Sequence, residues 1–176
     1  MKTLVILADN FEEIEAFTVI DVLRRAGIDV TVAGLVSTVV VGAHGVRTIA
    51  DKRLGEINTD KFDAMVLPGG PAYKAFLNSQ AVINLLKDFD KKKKFIGAIC
   101  ASPSVLAKAG ILDERIATIY PGMEGDIKKP RNEKVVIDGH IITSRSPGTA
   151  IEFSLKLAEI FSGKNTAEKV EKSLEI

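Results

Sequence analysis

The single cysteine of the chain, Cys100, lies where an α/β protein can place a nucleophile. It follows the apolar run 95–99, which predicts a buried strand. It precedes residues that predict a helix, with Ser102 as the N-cap and Pro103 at the first helical position. A sharp turn from strand to helix presents its side chain at the top of a sheet, where the positive end of the helix favours a thiolate. The alternative is a buried cysteine that only fills space.

Other groups that can do chemistry follow other predicted strands. Segment 12–15 contains three glutamates and follows the first apolar run, and Gly69-Gly70 follow a later one. Glycines at a strand end let backbone N–H groups face a ligand, and together with the N–H of Ala101 they predict an oxyanion hole. A carboxyl held against a thiolate keeps its proton and can pass it on during a reaction. The ordinary alternatives are acids that complement a helix dipole and glycines that only form a turn.

Alternating strands and helices must position these groups. Apolar runs predict strands at 3–8, 29–33, 62–67, 95–99 and 116–119, a strand or hairpin over 38–41 and 46–49, and a hairpin of 135–137 with 140–143 around Asp138-Gly139. Helical spacing predicts helices at 13–26, 81–90, 149–161 and 165–174, besides the one after Cys100. This order predicts a three-layer α/β/α sandwich with a mostly parallel sheet and a late β-hairpin. Since ligands bind outside the carboxyl ends of parallel strands, the candidate groups are expected along one edge.

Length, charge and composition limit the function classes. A chain of 176 residues with 46% hydrophobic and 27% charged residues predicts one domain, 1–176, with a sizeable core. A net charge of +1 gives no reason to expect nucleic acid or a membrane surface as a partner. One cysteine excludes an internal disulfide and, with no signal-peptide pattern, predicts a cytoplasmic protein. Cys and His lack metal-ligand spacing, and no dinucleotide or P-loop motif occurs, so no metal or cofactor is expected.

Five stretches, taken together, resemble the DJ-one/ThiJ/PfpI superfamily over Leu4 to Gly163. They are VILADNFEEIEA (5–16), DVLRRAGIDVTVAG (21–34), VLPGG (66–70), AICASP (98–103) and TSRSPGTAIEF (143–153). The specific signal is the ordered combination of E-E-x-E, L-P-G-G and A-I-C-A-x-P. The resemblance implies a flavodoxin-like sandwich that forms a homodimer or a larger homo-oligomer.

The resemblance also implies roles for individual residues. Cys100 corresponds to the reactive cysteine and Glu15 to the carboxyl that touches it, which selects Glu15 from the three glutamates. Gly69 and Gly70 match a glycine turn whose amides face the site. A loop beside the cysteine is matched by Arg145, Ser146 and Pro147.

Two departures from the superfamily pattern bear on activity. Members described as intracellular peptidases have His directly after the cysteine, where this chain has Ala101. Deglycase-like eukaryotic members have His before the proline that matches Pro121, where this chain has Tyr120. His44 is then the remaining candidate partner for the cysteine, within the chain or across a dimer interface, against the alternative of a solvated loop histidine. His140, in the predicted hairpin, is interpreted as structural.

The resemblance implies an enzyme of the glyoxalase or deglycase type that acts on small reactive carbonyls. In this hypothesis the Cys100 thiolate would attack a 2-oxoaldehyde such as methylglyoxal, Glu15 would shuttle the proton, and hydrolysis of the adduct would give lactate. One alternative is a redox-sensing stress-response protein or chaperone with an oxidisable Cys100. A second is an intracellular cysteine peptidase, which Ala101 disfavours because it removes the expected base.

Overall fold

Strands alternate with helices through the computed structural model, which describes residues 1–176. The strands are β1 (Lys2–Leu7), β2 (Asp29–Gly34), β3 (Val39–Val41), β4 (Arg47–Ile49), β5 (Lys52–Arg53), β6 (Ala64–Leu67), β7 (Phe95–Ile99), β8 (Val135–Asp138) and β9 (Ile141–Ser144). The helices are α1 (Glu13–Arg25), α2 (Tyr73–Asn78), α3 (Gln80–Lys91), α4 (Pro103–Lys108), α5 (Ala150–Ser162) and α6 (Lys164–Ser173). None of the helices combines the length and the apolar character needed to cross a bilayer.

Seven strands form one sheet in the order β5-β2-β1-β6-β7-β9-β8, in which only the β8–β9 pair is antiparallel. Strand β6 is buried throughout and β1 is buried apart from Lys2, because their apolar side chains are covered on both faces. Strands β3 and β4 form a separate antiparallel hairpin. The mostly parallel sheet with a late hairpin is confirmed.

Two groups of helices cover the sheet. Helix α1 packs against α5, and α5 against α6, while α2, α3 and α4 pack on one another. The chain runs from β1 through α1 to β2 in one direction, and from β6 through α2 and α3 to β7 in the other. Right-handed crossovers therefore place the two groups on opposite faces, which gives the predicted three layers. The direction reverses between β1 and β6, where a ligand crevice is expected.

The predicted strand at 116–119 is wrong. The Ile116 N–H donates to Asp138 Oδ2 (2.9 Å), and the Thr118 N–H donates to Thr143 Oγ1 (2.9 Å). These backbone donors are satisfied by side chains of β8 and β9, so the segment stays extended without joining a strand ladder. It forms one isolated bridge only.

The predicted Asp138-Gly139 turn lies one residue too early. Asp138 pairs with Ile141 as the last rung of the hairpin, so the two-residue loop is Gly139 and His140. Gly139 has φ +63°, which glycine adopts without steric cost. Helix α2 and strand β5 have no counterpart among the predicted elements, since they span only six and two residues.

Candidate active site

Cys100 occupies a strained turn between β7 and α4. Its φ is +65°, in the left-handed region that costs a residue with a side chain about 1–2 kcal/mol. Its N–H donates to the Ser144 carbonyl (2.9 Å), and its own carbonyl accepts from the Tyr120 N–H (2.8 Å). These two bonds hold the backbone in the conformation of a nucleophile elbow. The residue is 8% exposed, which admits only a small reactant.

Glu15, in the first turn of α1, is completely buried beside this cysteine. Its Oε2 accepts a hydrogen bond from the Gly69 N–H (2.6 Å), and its Oε1 has no hydrogen-bond partner. Burial raises the pKa of Glu15 to about 7, although hydrogen bonds from the Gly69 N–H and the Cys100 thiol favour the carboxylate. A buried carboxyl that titrates near neutral pH is suited to general acid–base chemistry.

The Cys100 thiol also holds its proton tightly. Burial, followed by the charge of Glu15, raises the pKa of Cys100 to about 12, while the N–H groups of Gly70 and Ala101 act in the opposite direction by hydrogen-bonding the sulfur. Above about pH 7 the pair therefore keeps one proton, because the charge of either group opposes ionisation of the other. The proton resides on sulfur beside a carboxylate, or on oxygen beside a thiolate. The second arrangement places a nucleophile next to an acid.

The turn after β6 needs glycine at both positions. A Cβ on Gly69 would lie 2.6 Å from the Cys100 Cβ and 2.7 Å from Glu15 Oε2. Gly70 has φ +78°, and a Cβ there would lie 2.6 Å from the Asn10 carbonyl oxygen. Any larger residue would push the thiol and the carboxyl apart, so the glycines permit their close approach.

The predicted loop at Arg145, Ser146 and Pro147 follows β9, whose last residue accepts the cysteine N–H. The Arg145 N–H donates to the Lys134 carbonyl (3.2 Å), and the Ser146 N–H donates to Thr149 Oγ1 (3.1 Å). The loop is therefore adjacent to the elbow, but none of the hydrogen bonds of these three residues reaches the thiol.

Two further candidates lie at the edge of the site. Tyr120 meets Cys100 through its backbone, and its side chain points outward, with the residue 44% exposed. His44 hydrogen-bonds Glu13 through both Nδ1 (2.9 Å) and its backbone N–H (2.7 Å). The hydrogen bond to Glu13 raises the pKa of His44. Its bonds thus go to Glu13 rather than to Cys100 or Glu15.

His44 also belongs to the only cluster of side chains with metal-ligand geometry. Glu12, Glu13 and His44 each offer one ligand atom, all within 4.8 Å of one another. Glu12 Oε1 accepts from the Ile14 N–H (3.3 Å), and the Glu13 carboxylate accepts from the backbone of His44 and Val46. Because these groups already bond one another and the start of α1, we assign no metal to them.

Ser102 does not act as the N-cap predicted for α4. Its own backbone is helical, with φ −68° and ψ −21°, so its side chain makes no capping bond. Instead its hydroxyl donates to the Pro68 carbonyl (2.7 Å), and Pro103 begins the helix as predicted. The sequence carries no signal for this bond, because it depends on β6 and β7 being neighbours in the sheet.

Five surface cavities have volumes of about 330 to 730 Å³, and neither Cys100 nor Glu15 lines any of them. The largest lies between α3 and the segment around Leu54. We place the chemistry at the elbow because that is where a thiol, an acid and two backbone donors converge.

Comparison with known proteins agrees with this fold. The DJ-1/PfpI family model matches residues 1–160. Drosophila melanogaster dj-1beta is 44% identical over 98% of this chain and 96% of its own; its crystal structure superposes with a TM-score of 0.95 at 43% identity, covering 99% and 97% of the two chains. A glutathione-independent glyoxalase of Caenorhabditis elegans is 37% identical, covering 94% of this chain and 91% of its own. A deglycase of Pyrococcus abyssi is 34% identical, covering 84% and 92%.

Proposed function

This chain belongs to the DJ-1/PfpI family, and from that membership and the geometry of its cysteine we propose an enzyme that acts on small reactive carbonyls. The observation that carries the proposal is the placement of the buried Glu15 beside Cys100, since a Cβ on Gly69 would lie 2.6 Å from the Cys100 Cβ and 2.7 Å from Glu15 Oε2. The two groups together keep one proton above about pH 7. The names of the glyoxalase and deglycase relatives support the same substrate class.

The first step uses the form in which Glu15 holds the proton. The Cys100 sulfur attacks the aldehyde carbon of a 2-oxoaldehyde such as methylglyoxal, and a C–S bond forms. The carbonyl electron pair moves to oxygen, which takes the proton of Glu15. The N–H groups of Gly70 and Ala101, which favour the Cys100 thiolate, are the donors that we assign to the negative charge developing on this oxygen. The products are a neutral hemithioacetal and a Glu15 carboxylate.

The second step moves one proton between carbons. The Glu15 carboxylate removes the hydrogen of the former aldehyde carbon, giving an enediolate, and the hydroxyl proton of that carbon passes to the oxygen of the adjacent carbon. Glu15 then returns its proton to the adjacent carbon. This produces a 2-hydroxy thioester, in which one carbon has been oxidised and its neighbour reduced. Water then adds to the acyl carbon, the C–S bond breaks, and the thiol is regenerated. Methylglyoxal and one water molecule thus give lactate, with no cofactor or external redox reagent.

Lactate formation from methylglyoxal by the purified protein tests this mechanism. We expect many turnovers per chain, no turnover in Cys100→Ser, and a loss of about 10²–10⁴-fold in Glu15→Gln. Glu13→Gln is the matched control, since Glu13 lies in the same helical turn but bonds His44. Uptake of one aldehyde per thiol without lactate, or full activity in Glu15→Gln, would contradict the proposal.

A redox role is the second candidate, and the same carboxyl favours it. A protonated Glu15 can donate a hydrogen bond to an oxidised sulfur, which stabilises the sulfinate formed when two peroxide molecules oxidise the thiolate in succession. Mass spectrometry after mild peroxide treatment tests this role. We expect Cys100 to gain two oxygen atoms at doses that leave exposed model thiols largely reduced. An unmodified Cys100 at those doses would count against it.

A peptidase is not favoured. Ala101 follows the cysteine, and neither histidine hydrogen-bonds the thiol: His44 bonds Glu13, and His140 bonds Asp90 (2.8 Å). Within the chain, the cysteine therefore has no hydrogen-bonded imidazole to serve as its base.

A homodimer is the proposed assembly, and the exposed face of the β3–β4 hairpin supports it. Val39 and Ile49 face each other across the hairpin and are 44% and 79% exposed, with Val41 on the same face. An isolated two-stranded hairpin with an apolar outer face gains stability when it is covered. We expect sedimentation velocity to show a dimer that Ile49→Glu dissociates. A monomeric wild-type protein would refute this assembly. The single domain and the cytoplasmic location stay predictions.

A further inference from the structure

The side chain of Ser102 makes a bond that helix formation does not explain. The residue is completely buried, and its hydroxyl crosses from the start of α4 to the turn after β6, where it donates to the Pro68 carbonyl (2.7 Å). A serine at this point ordinarily caps its own helix. Here the hydroxyl instead ties the elbow of Cys100 to the glycine turn.

Ser102 and Glu15 hydrogen-bond opposite ends of the same peptide bond, the one between Pro68 and Gly69. The Pro68 C=O and the Gly69 N–H are two ends of one planar unit. Its oxygen accepts from the Ser102 hydroxyl, and its N–H donates to Glu15 Oε2 (2.6 Å). Hydrogen bonds at both ends fix the orientation of the plane, and each bond polarises the other.

We propose that Ser102 is a positioning residue that acts on Glu15 through the Pro68–Gly69 peptide. The hydroxyl holds that peptide so that its N–H meets the carboxyl and favours the carboxylate over the acid. Without the hydroxyl, the N–H bond to Glu15 weakens and the shared proton moves toward the carboxyl. This inference rests on the proposed partnership of Glu15 and Cys100, but it concerns the location of a proton rather than the turnover of a substrate.

The chain offers a matched control two residues away. Ser104 is also buried, and its hydroxyl donates to the Ala101 carbonyl (2.6 Å) within the same turn. Ser104→Ala therefore removes a serine hydroxyl and a buried hydrogen bond from the first turn of α4 without touching the Pro68–Gly69 peptide.

The test is the rate of Cys100 alkylation by iodoacetamide, measured across pH in the full-length protein. Well below the pH at which both groups are ionised, the reactive form is the thiolate beside a protonated Glu15. The competing form is the thiol beside a Glu15 carboxylate, and weakening the N–H bond to Glu15 disfavours this competing form. In Ser102→Ala we expect the inflection to move up by about half a pH unit and the plateau rate to rise about threefold. On the acid side the rates are expected to stay unchanged, because both side chains are protonated there.

Further variants distinguish this effect on Glu15 from a general destabilisation of the structure around Cys100. Ser104→Ala is expected to give the wild-type profile, and in a Glu15→Gln background Ser102→Ala is expected to shift nothing. Ser102→Gly removes the same hydroxyl at a position whose backbone any residue can adopt, so it serves if the alanine variant folds poorly. A wild-type profile in both Ser102 variants, a change of equal size at every pH, or a shift that persists without Glu15 would overturn the proposal. Since alkylation needs no carbonyl substrate, none of these results depends on whether lactate is formed.

Discussion

Replacing Glu15 with Gln is expected to remove a pH-dependent loss of stability. The carboxyl is completely buried, one of its oxygens has no hydrogen-bond partner, and burial raises its pKa from 4.5 to about 7. Folding therefore favours the protonated side chain. Below the unfolded pKa the side chain is protonated in both states and has no electrostatic cost. Above the folded pKa it is ionised in both, and the folded protein bears the cost of a buried charge.

The size of this cost follows from the shift. At about 1.4 kcal/mol per pKa unit, a rise from 4.5 to about 7 destabilises the ionised folded protein by about 3 kcal/mol. The cost develops between these two pH values, so the free energy of unfolding falls as pH rises through this window. Gln cannot ionise, and the unmet hydrogen bonds of its amide are the same at every pH. The pH dependence therefore isolates the charge.

Urea unfolding of the wild type and Glu15→Gln at about pH 4 and about pH 8 measures the effect. The variant is expected to gain about 3 kcal/mol relative to the wild type between the two conditions. Glu171→Gln, at an exposed position on α6, is expected to follow the wild type and serves as the control. A stability difference between wild type and Glu15→Gln that is equal at both pH values would refute the assignment of a costly buried charge.

Further predictions concern the neighbours of this carboxyl. Gly69→Ala would place a Cβ 2.6 Å from the Cys100 Cβ, so we expect urea titrations to show a free energy of unfolding lowered by about 1–3 kcal/mol. Gly55→Ala is the control, since its Cβ would meet nothing within 4 Å, and we expect it to be nearly neutral. The hydrogen bond to Glu13 raises the pKa of His44 above 6.5, so NMR titration is expected to show this imidazole losing its proton at higher pH than in Glu13→Gln. Identical titration curves would contradict the pairing.

The local pattern of apolar residues was sufficient to predict most of the fold, because the central strands are continuously apolar. It failed at 116–119, where the same apolar pattern belongs to an extended segment. The N–H groups of Ile116 and Thr118 bond side chains of Asp138 and Thr143, more than twenty residues away in sequence. A partner so distant cannot be recognised from local spacing. The bond from Ser102 to the carbonyl before Gly69 escapes prediction for the same reason.

The sequence predicted only part of the candidate site. The apolar run before Cys100 and the proline after it predicted the strand-to-helix turn, and the structure has that turn. Choosing among the three glutamates required the family resemblance. In the structure Ile14 is 57% exposed while Glu15 is completely buried, the reverse of what an amphipathic helix prefers. Such a violation, in which a charge is buried and an apolar neighbour is exposed, is typical of a functional position.

The shared proton also separates the two candidate functions. Carbonyl turnover requires Glu15 to act first as an acid and then as a base, so Gln at this position removes both proton transfers. Alkylation and the first oxidation step require only the thiolate. In Glu15→Gln the negative charge that raises the pKa of Cys100 is absent, so the thiolate forms more readily. The variant is therefore expected to lose lactate formation while Cys100 reacts with iodoacetamide at least as fast as in the wild type near neutral pH. If thiol reactivity and turnover instead fell together, Glu15 would be needed to form the thiolate, and the roles proposed for it as acid and base would no longer be supported.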